Sequence, residues 1–259
     1  LSTREACGNT VRNVTGCPNA GVCENEPFDV TPYAAAYARY FVRHPYTQSL
    51  PRKFKTSFSD CDDDCAISAI HDMGFIPKLR DGKKGFQMVT GGGTSIMPRI
   101  GQTLFEFVPV EEYLKVTEAV IRLFHQTDEL RKNRMKARIK FYIDRIGMDD
   151  FRTKVEEELK GEWAKKSFDP TPLLFIEDES KDAPSLDITY KSGVSIEFDH
   201  WLESNVTAQK QVGYNVVMVK LPLGDINSEQ FHQIADMSRK YAGGRMRLTH
   251  QQNFAFRWV

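Results

Sequence analysis

The run Leu50-Pro-Arg-Lys-Phe-Lys55 sets three cationic side chains and one aromatic ring within four positions. In an extended strand the side chains alternate, so Lys53 and Lys55 share one face while Arg52 and Phe54 take the other. Two ammonium groups rooted roughly 6 to 7 Å apart can converge on one small oxyanion and donate to its oxygens. The competing reading is a solvated edge strand whose lysines prevent aggregation. Arg12 is a second candidate, because the Gly8-Asn-Thr10 turn before it can aim a guanidinium inward beside backbone donors or leave it stacked on the surface. Between Arg131 and Lys140 six of ten residues are cationic. As part of a helix from Thr127 to about Ile146, Arg131, Arg134 and Arg138 fall on one arc and Lys132, Lys136 and Lys140 on another. Such a surface could neutralise several carboxylates or phosphates, or simply be solvated.

Cys17-x5-Cys23 and Cys61-x3-Cys65 have the paired spacing of soft-metal ligands. Asp60, Asp62, Asp63 and Asp64 surround the second pair and disfavour its thiolates, so packed, inert thiols are the expectation and a metal site at these four cysteines the lesser reading. Gly91-Gly92-Gly93 permits close backbone approach to a ligand but lacks the pattern of a dinucleotide or phosphate loop. His71 and Asp72 are adjacent, would not face each other on a helix, and read as structural.

These residues need a scaffold. The chain has 259 residues, 41% hydrophobic and 27% charged, enough for one large domain or two ordinary ones. Lys plus Arg and Asp plus Glu number 35 each, so no global field draws the chain toward nucleic acid, and any charge-driven function is local. No apolar run is long enough to span a bilayer and none resembles a signal peptide, which gives a cytoplasmic expectation. An odd cysteine count argues against a disulfide framework. The chain opens without Met and stops within an apolar run, as a piece of a longer polypeptide would. Periodicity and turn residues predict helices over Tyr33–Arg43, Val110–His125, Thr127–Ile146, Met148–Leu159 and Ser228–Tyr241. Strands are predicted over Leu50–Phe58, Gly85–Thr90, Tyr214–Leu221, Met246–Thr249 and Asn253–Val259.

Taken together, Ala6-Cys-Gly-Asn-Thr-Val-Arg12-Asn-Val14, Leu50-Pro-Arg-Lys-Phe-Lys55, the Gly91-Gly-Gly93 strand end and Arg134-Met-Lys-Ala-Arg138-Ile-Lys140 resemble, in order and spacing, the sirohaem-dependent sulfite and nitrite reductase family. The likeness covers about Ala6 to Gly161, and Tyr214 to Val259 looks like the start of a second, ferredoxin-reductase-like half-domain. It implies an α+β, mixed α/β fold, with a sirohaem domain over 1–165, a linker over 166–191 and an incomplete half-domain over 192–259. It further implies sirohaem and a four-iron four-sulfur cluster, with the cluster ligands outside this chain and Cys7, Cys61 and Cys65 as remnants of the repeat. At Thr249-His-Gln251-Gln252 a Gln stands where a half-domain supplying a substrate Arg would have one, which fits a second copy.

The implied reaction is the six-electron reduction of sulfite to sulfide, with nitrite to ammonia as the alternative and a non-catalytic tetrapyrrole- or anion-binding scaffold as the rival of another class. Members specialised for nitrite often carry Asn where this chain has Lys55, which favours sulfite. Arg12, Lys53 and Lys55 match the family's substrate-binding positions, with Lys55 the expected proton relay. Asn13, Arg52, Gly91, Gly92, Gly93, Arg134, Lys136, Arg138 and Lys140 are the implied sirohaem contacts. Implied partners are the oxyanion, ferredoxin or a flavoprotein donor, and the remainder of the polypeptide, without nucleic acid or membrane; the chain alone is expected to be inactive.

Overall fold

The computed structural model describes residues 5, 7–186 and 195–259. Ala6 of the Arg12 motif, and residues 187–194 where the expected linker meets the half-domain, lie outside them. The chain forms two compact units, one of residues 1–16 and 27–176, the other of 17–26 and 177–259. Among the described residues no helix is long and apolar enough to cross a membrane.

In the first unit the elements run β1 (Val11–Gly16), α1 (Thr31–Phe41), β2 (Phe54–Phe58), β3 (Met73–Arg80), β4 (Lys83–Thr90), β5 (Gln102–Pro109), α2 (Tyr113–Gln126), α3 (Ile139–Ile146) and α4 (Met148–Glu158). The strands form one sheet in sequence order, with β1, β2 and β3 parallel and β4 and β5 antiparallel. β2 is therefore interior, and the edge-strand reading of its lysines fails.

The sequence explains the local choices. Tyr33, Ala36, Tyr37 and Phe41 recur at helical spacing and bury one stripe of α1, which starts with Pro32 in its first turn and Asp29 accepting from the Thr31 N–H at 2.8 Å. That stripe meets an aromatic core in which Phe58 and Phe75, paired across parallel strands, stack at 4.3 Å and Phe86 and Tyr113 pack edge-on. β3 and β5 were not anticipated. Apolar residues alternate only partly along them, and Pro77 within β3 argues against a strand until its position between β2 and β4 is seen.

The second unit comprises α5 (Ile196–Asn205), β6 (Val206–Ala208), β7 (Asn215–Val219), α6 (Ser228–Tyr241), β8 (Arg247–Leu248) and β9 (Phe254–Phe256). Its sheet has the order β6-β7-β9-β8, all antiparallel. A reciprocal capping box between Asn227 and Gln230 fixes the start of α6. Val22 shares a core with Val216, Ala255 and Trp258, and Arg257 donates to the Ala20 carbonyl at 2.6 Å, so the short segment 17–26 packs with this unit.

Candidate functional site: a basic cluster at the start of β2

The parallel pair β1–β2 is irregular at one place. Val11 faces Phe54 and Val14 faces Thr56, which leaves Arg12 and Asn13 opposite the single residue Lys55. Such a bulge bends a strand and redirects its side chains. Arg12, half-buried, donates from Nε to the Gly8 carbonyl at 2.9 Å, while Asn13 is exposed. On β2, Phe54 is fully buried and Lys55 exposed, as alternation predicts, but Ser57 is also buried because it bonds Ser68 of the β2–β3 connection at 3.3 Å. Lys53 sits half-buried one residue before the strand.

Lys53 is the residue on which the local electrostatics fall most visibly. Burial lowers its pKa, and the positive charges of Lys55, Arg138, Arg12 and Arg52 lower it further, in that order. Five cations thus share one field. Among the described residues none of Arg12, Arg52, Lys53 and Lys55 has a carboxylate at ion-pair distance. Such a set is chemically suited to an anion, and the half-burial of Arg12, Arg52 and Lys53 strengthens any charge-assisted contact that they make relative to bulk water.

Asp72 organises the floor of this cluster. Its carboxylate, wholly buried, accepts from Arg138 Nε at 2.8 Å and Nη2 at 2.6 Å, and from the Lys55 backbone N–H at 2.8 Å. Burial pushes the Asp72 carboxyl up and the Arg138 guanidinium opposes that. The Asp72 carbonyl accepts from Thr90 Oγ1 at 2.7 Å, which ties β3 to β4 behind the site. The His71-Asp72 pair carries no sequence signal for this role beyond an acid placed immediately before an apolar strand.

The cationic run does not form one helix. Two 3-10 turns, Asp128–Arg131 and Arg134–Lys136, occupy the interval between α2 and α3, and Arg138 is extended. Like charges four residues apart disfavour a helix, and the Asn133 side chain accepts from the Met135 N–H at 3.0 Å, holding a turn instead. Consequently Arg134 and Lys136 are exposed, whereas Arg138 and Lys140 are buried toward different partners. Lys140 Nζ donates to the carbonyls of Met97 at 2.9 Å, Ile96 at 3.1 Å and Gly93 at 3.4 Å, so all three ammonium hydrogens are committed to the protein's own loop. Burial lowers the Lys140 pKa, reinforced by Arg138 and Arg99.

The glycines serve chain packing. A Cβ on Gly92 would lie 2.3 Å from the Ala69 carbonyl oxygen, and one on Gly91, whose φ is +84°, 2.8 Å from Ile143 Cδ1. Gly93 bridges to Arg99 with two backbone hydrogen bonds of 3.0 Å and borders Arg138 Nη2. Beyond it Ile96 and Met97 are large, apolar and exposed. The cysteines divide between the units, with Cys17 and Cys23 in the second and Cys61 and Cys65 in the first. Burial and then Asp60 and Cys65 raise the Cys61 thiol pKa, against a hydrogen bond with Asp63, in line with the effect expected of an acidic loop.

Residues 7–162 match the family described as the nitrite and sulphite reductase 4Fe-4S domain, and residues 207–259 the nitrite/sulfite reductase ferredoxin-like half domain. The chain is 30% identical over 260 residues to the assimilatory ferredoxin-dependent nitrite reductase of Haloferax mediterranei, covering 98% of this chain and 42% of that one. It is 35% identical over 159 residues to sulfite reductase [ferredoxin] 1 of Mycolicibacterium paratuberculosis, covering 61% and 28%. The solved structure of the Mycobacterium tuberculosis NirA protein superposes with a TM-score of 0.73 at 28% identity, covering 97% of this chain and 41% of that one. The chain thus spans about two fifths of the length of the relatives that it matches throughout.

Proposed function

The chain belongs to the nitrite and sulphite reductase family, and from that premise we propose that it forms the sirohaem-facing part of a ferredoxin-dependent reductase that converts nitrite to ammonia with six electrons. The observation that carries this reading is the cation set Arg12, Arg52, Lys53 and Lys55 around the β1–β2 bulge, without a carboxylate at ion-pair distance among the described residues. The family implies sirohaem and an iron-sulfur cluster. A macrocycle with peripheral carboxylates and an apolar face fits the first unit: Arg52 and Arg12 offer charge-assisted donors, Arg138 being committed to Asp72, and the exposed Ile96 and Met97 an apolar surface next to Gly93. When bound, it would supply the iron that takes the substrate and would pass on to it the electrons that an external donor delivers.

The protein's own part is then anion neutralisation and proton delivery. Arg12 keeps its charge at every working pH and acts as a clamp on the oxyanion. Lys53, whose ammonium is destabilised by burial and four neighbouring cations, is the better proton donor to departing oxygens, so the relay moves from Lys55 to Lys53. Asp72 holds Lys55 through its backbone and Arg138 through its side chain, positioning both. The four-iron cluster that the family implies needs four thiolates, more than the two of Cys61 and Cys65 in the β2–β3 connection. No step is derived through it.

Nitrite is supported by the nitrite reductase relative that matches 98% of this chain, against 61% for the sulfite reductase. Sulfite is the second reading, because that sulfite reductase is the more identical over the stretch it shares and paired ammonium groups suit a more highly charged oxyanion. Steady-state comparison in the complete reductase decides between them, and a kcat/KM for sulfite far above that for nitrite returns the assignment to sulfite. Lys53→Ala is expected to cut kcat and to remove the alkaline limb of its pH profile with the melting temperature kept. Wild-type turnover in that variant would remove Lys53 from the mechanism.

A further inference from the structure

Immediately before Asp72 stands His71, which the basic cluster described above leaves unused. The chain reaches it through a strained turn. Ile67, a β-branched residue, is held at φ +52° with its side chain exposed, so packing of that side chain is not what keeps it there. The turn provides a carbonyl: the Ile67 oxygen lies 2.9 Å from His71 Nδ1. A carbonyl only accepts, so Nδ1 carries a proton and Nε2 is the nitrogen that titrates. The His71 main chain is fixed as well, its N–H donating to the Ser68 carbonyl at 3.1 Å and its carbonyl accepting from the Gly92 N–H at 2.9 Å. The ring is half-buried, and among the described residues Nε2 has no protein partner.

Charges of both signs act on this ring. Burial lowers its pKa below the ordinary 6.5, the Ile67 hydrogen bond and then Asp72 raise it, Lys55 lowers it and Asp64 raises it, in that order of size. Lys55 belongs to β2, Asp64 to the β2–β3 connection, and Arg138 faces the Asp72 carboxylate from the chain just before α3. Asp72 also holds the Lys55 N–H at 2.8 Å, so the ring and the cation cluster share one support. Resting on the oxyanion site proposed above, we propose that His71 is its pH-responsive member: protonated at Nε2, the imidazole adds a cation beside Lys55 and draws the oxyanion in, and it withdraws that cation as pH rises. An anion seated among Arg12, Lys53 and Lys55 offsets the repulsion between Lys55 and the protonated ring. Anion binding and His71 protonation therefore favour each other, by the same factor in both directions. One charge at the margin of a partly solvated site changes affinity about threefold, which corresponds to about half a pKa unit.

The test follows the His71 ring in the full chain by NMR with isotope-labelled histidine, its resonance identified by loss in His71→Asn or His71→Gln. Nitrite is the probe, because it stays a monoanion over the range in which histidine titrates. Saturating nitrite is expected to raise the His71 pKa by about half a unit, and Lys55→Ala to raise it with no anion present. Nitrite affinity of the wild-type chain should tighten about threefold as pH falls through that pKa. His71→Asn, which keeps a donor for the Ile67 carbonyl and does not titrate, should bind nitrite with one affinity throughout. In the complete reductase the same dependence is expected in KM for nitrite and not in kcat. The proposal is overturned by a His71 pKa that ignores nitrite, by His71 titrating in Lys55→Ala as in the wild type, or by His71→Asn keeping the wild-type pH dependence of nitrite affinity. A complete protein that reduces neither nitrite nor sulfite while nitrite still shifts His71 supports the proposal and removes the reductase reading instead.

Discussion

Replacing Asp72 with Asn removes one charge and almost no volume from a fully buried site. The wild-type carboxylate takes two hydrogen bonds from Arg138 and one from the Lys55 N–H, on two oxygens. Asparagine offers one acceptor oxygen, and its NH2 group turns a donor toward either Arg138 or Lys55. The guanidinium, which is 7% exposed, is left without its counter-charge. Breaking a buried pair from one side costs about 3 to 5 kcal/mol, and the residual exposure of Arg138 places the expectation near the lower end, ~3 kcal/mol. Arg138→Met alone should cost a similar amount, since it strands the carboxylate. In the double variant neither charge remains and the Asn oxygen can still take the Lys55 N–H, so its loss should fall at least ~2 kcal/mol short of the two single losses combined. Urea unfolding midpoints of all four chains measure this, with exchange protection of the Lys55 amide as the local readout. Single losses under ~1 kcal/mol, or a double variant as unstable as the two single effects added together, would refute the argument that Asp72 and Arg138 stabilise each other.

Glu118 provides a pH-dependent prediction: burial works to raise its pKa, but hydrogen bonds with His44, Tyr40 and Arg122 prevail and hold it at about 2, below the ordinary 4.5. The stability this supplies is fully present above pH ~4.5 and is lost as pH falls toward 2, with a ceiling of roughly 3 kcal/mol. Glu118→Gln should flatten that acid limb in melts recorded between those values, and an unchanged limb would count against the network. Gly92→Ala should cost about 1 to 3 kcal/mol, because the added methyl meets the Ala69 carbonyl, which is main chain; a melt equal to wild type would show that the turn yields. Lys53→Ala and Lys55→Ala should each leave the melting temperature nearly unchanged, since neither side chain makes an ion pair among the described residues, yet lower kcat/KM in the complete reductase. Lost stability with unchanged kinetics would mean that the two lysines serve the strand.

Much of this was legible because the relevant signals are short-range. Lys53-x-Lys55 alternates as a strand must, and the period of Ser228–Tyr241 with Asn227 before it specifies α6. What escaped depends on contacts distant in sequence. Arg138 is extended rather than helical because Asp72, 66 residues earlier, receives it, and no local pattern announces that pairing. Lys140 reads as a solvated cation until carbonyls more than forty residues away converge on it. Nothing in the sequence of segment 17–26 marks the unit it packs with, which the burial of Val22 against Val216 and Trp258 reveals. α5 was missed for another reason: none of its residues is buried, so it lacks the apolar stripe by which a helix is recognised.

The irregularity at Arg12 and Asn13 also acts as a phase shifter. In an uninterrupted strand pair, every side chain before a given point fixes the face of every one after it. Because two residues of β1 stand opposite one of β2, the alternation restarts at Val14, and the strand can obey the needs of the cation cluster at its beginning and of the core further along. Deleting Asn13 would therefore do more than remove one exposed amide. It would leave Arg12 alone opposite Lys55, so that Val14, Thr15 and Gly16 keep Thr56, Ser57 and Phe58 as partners while the bend that redirects Arg12 and its neighbours is lost.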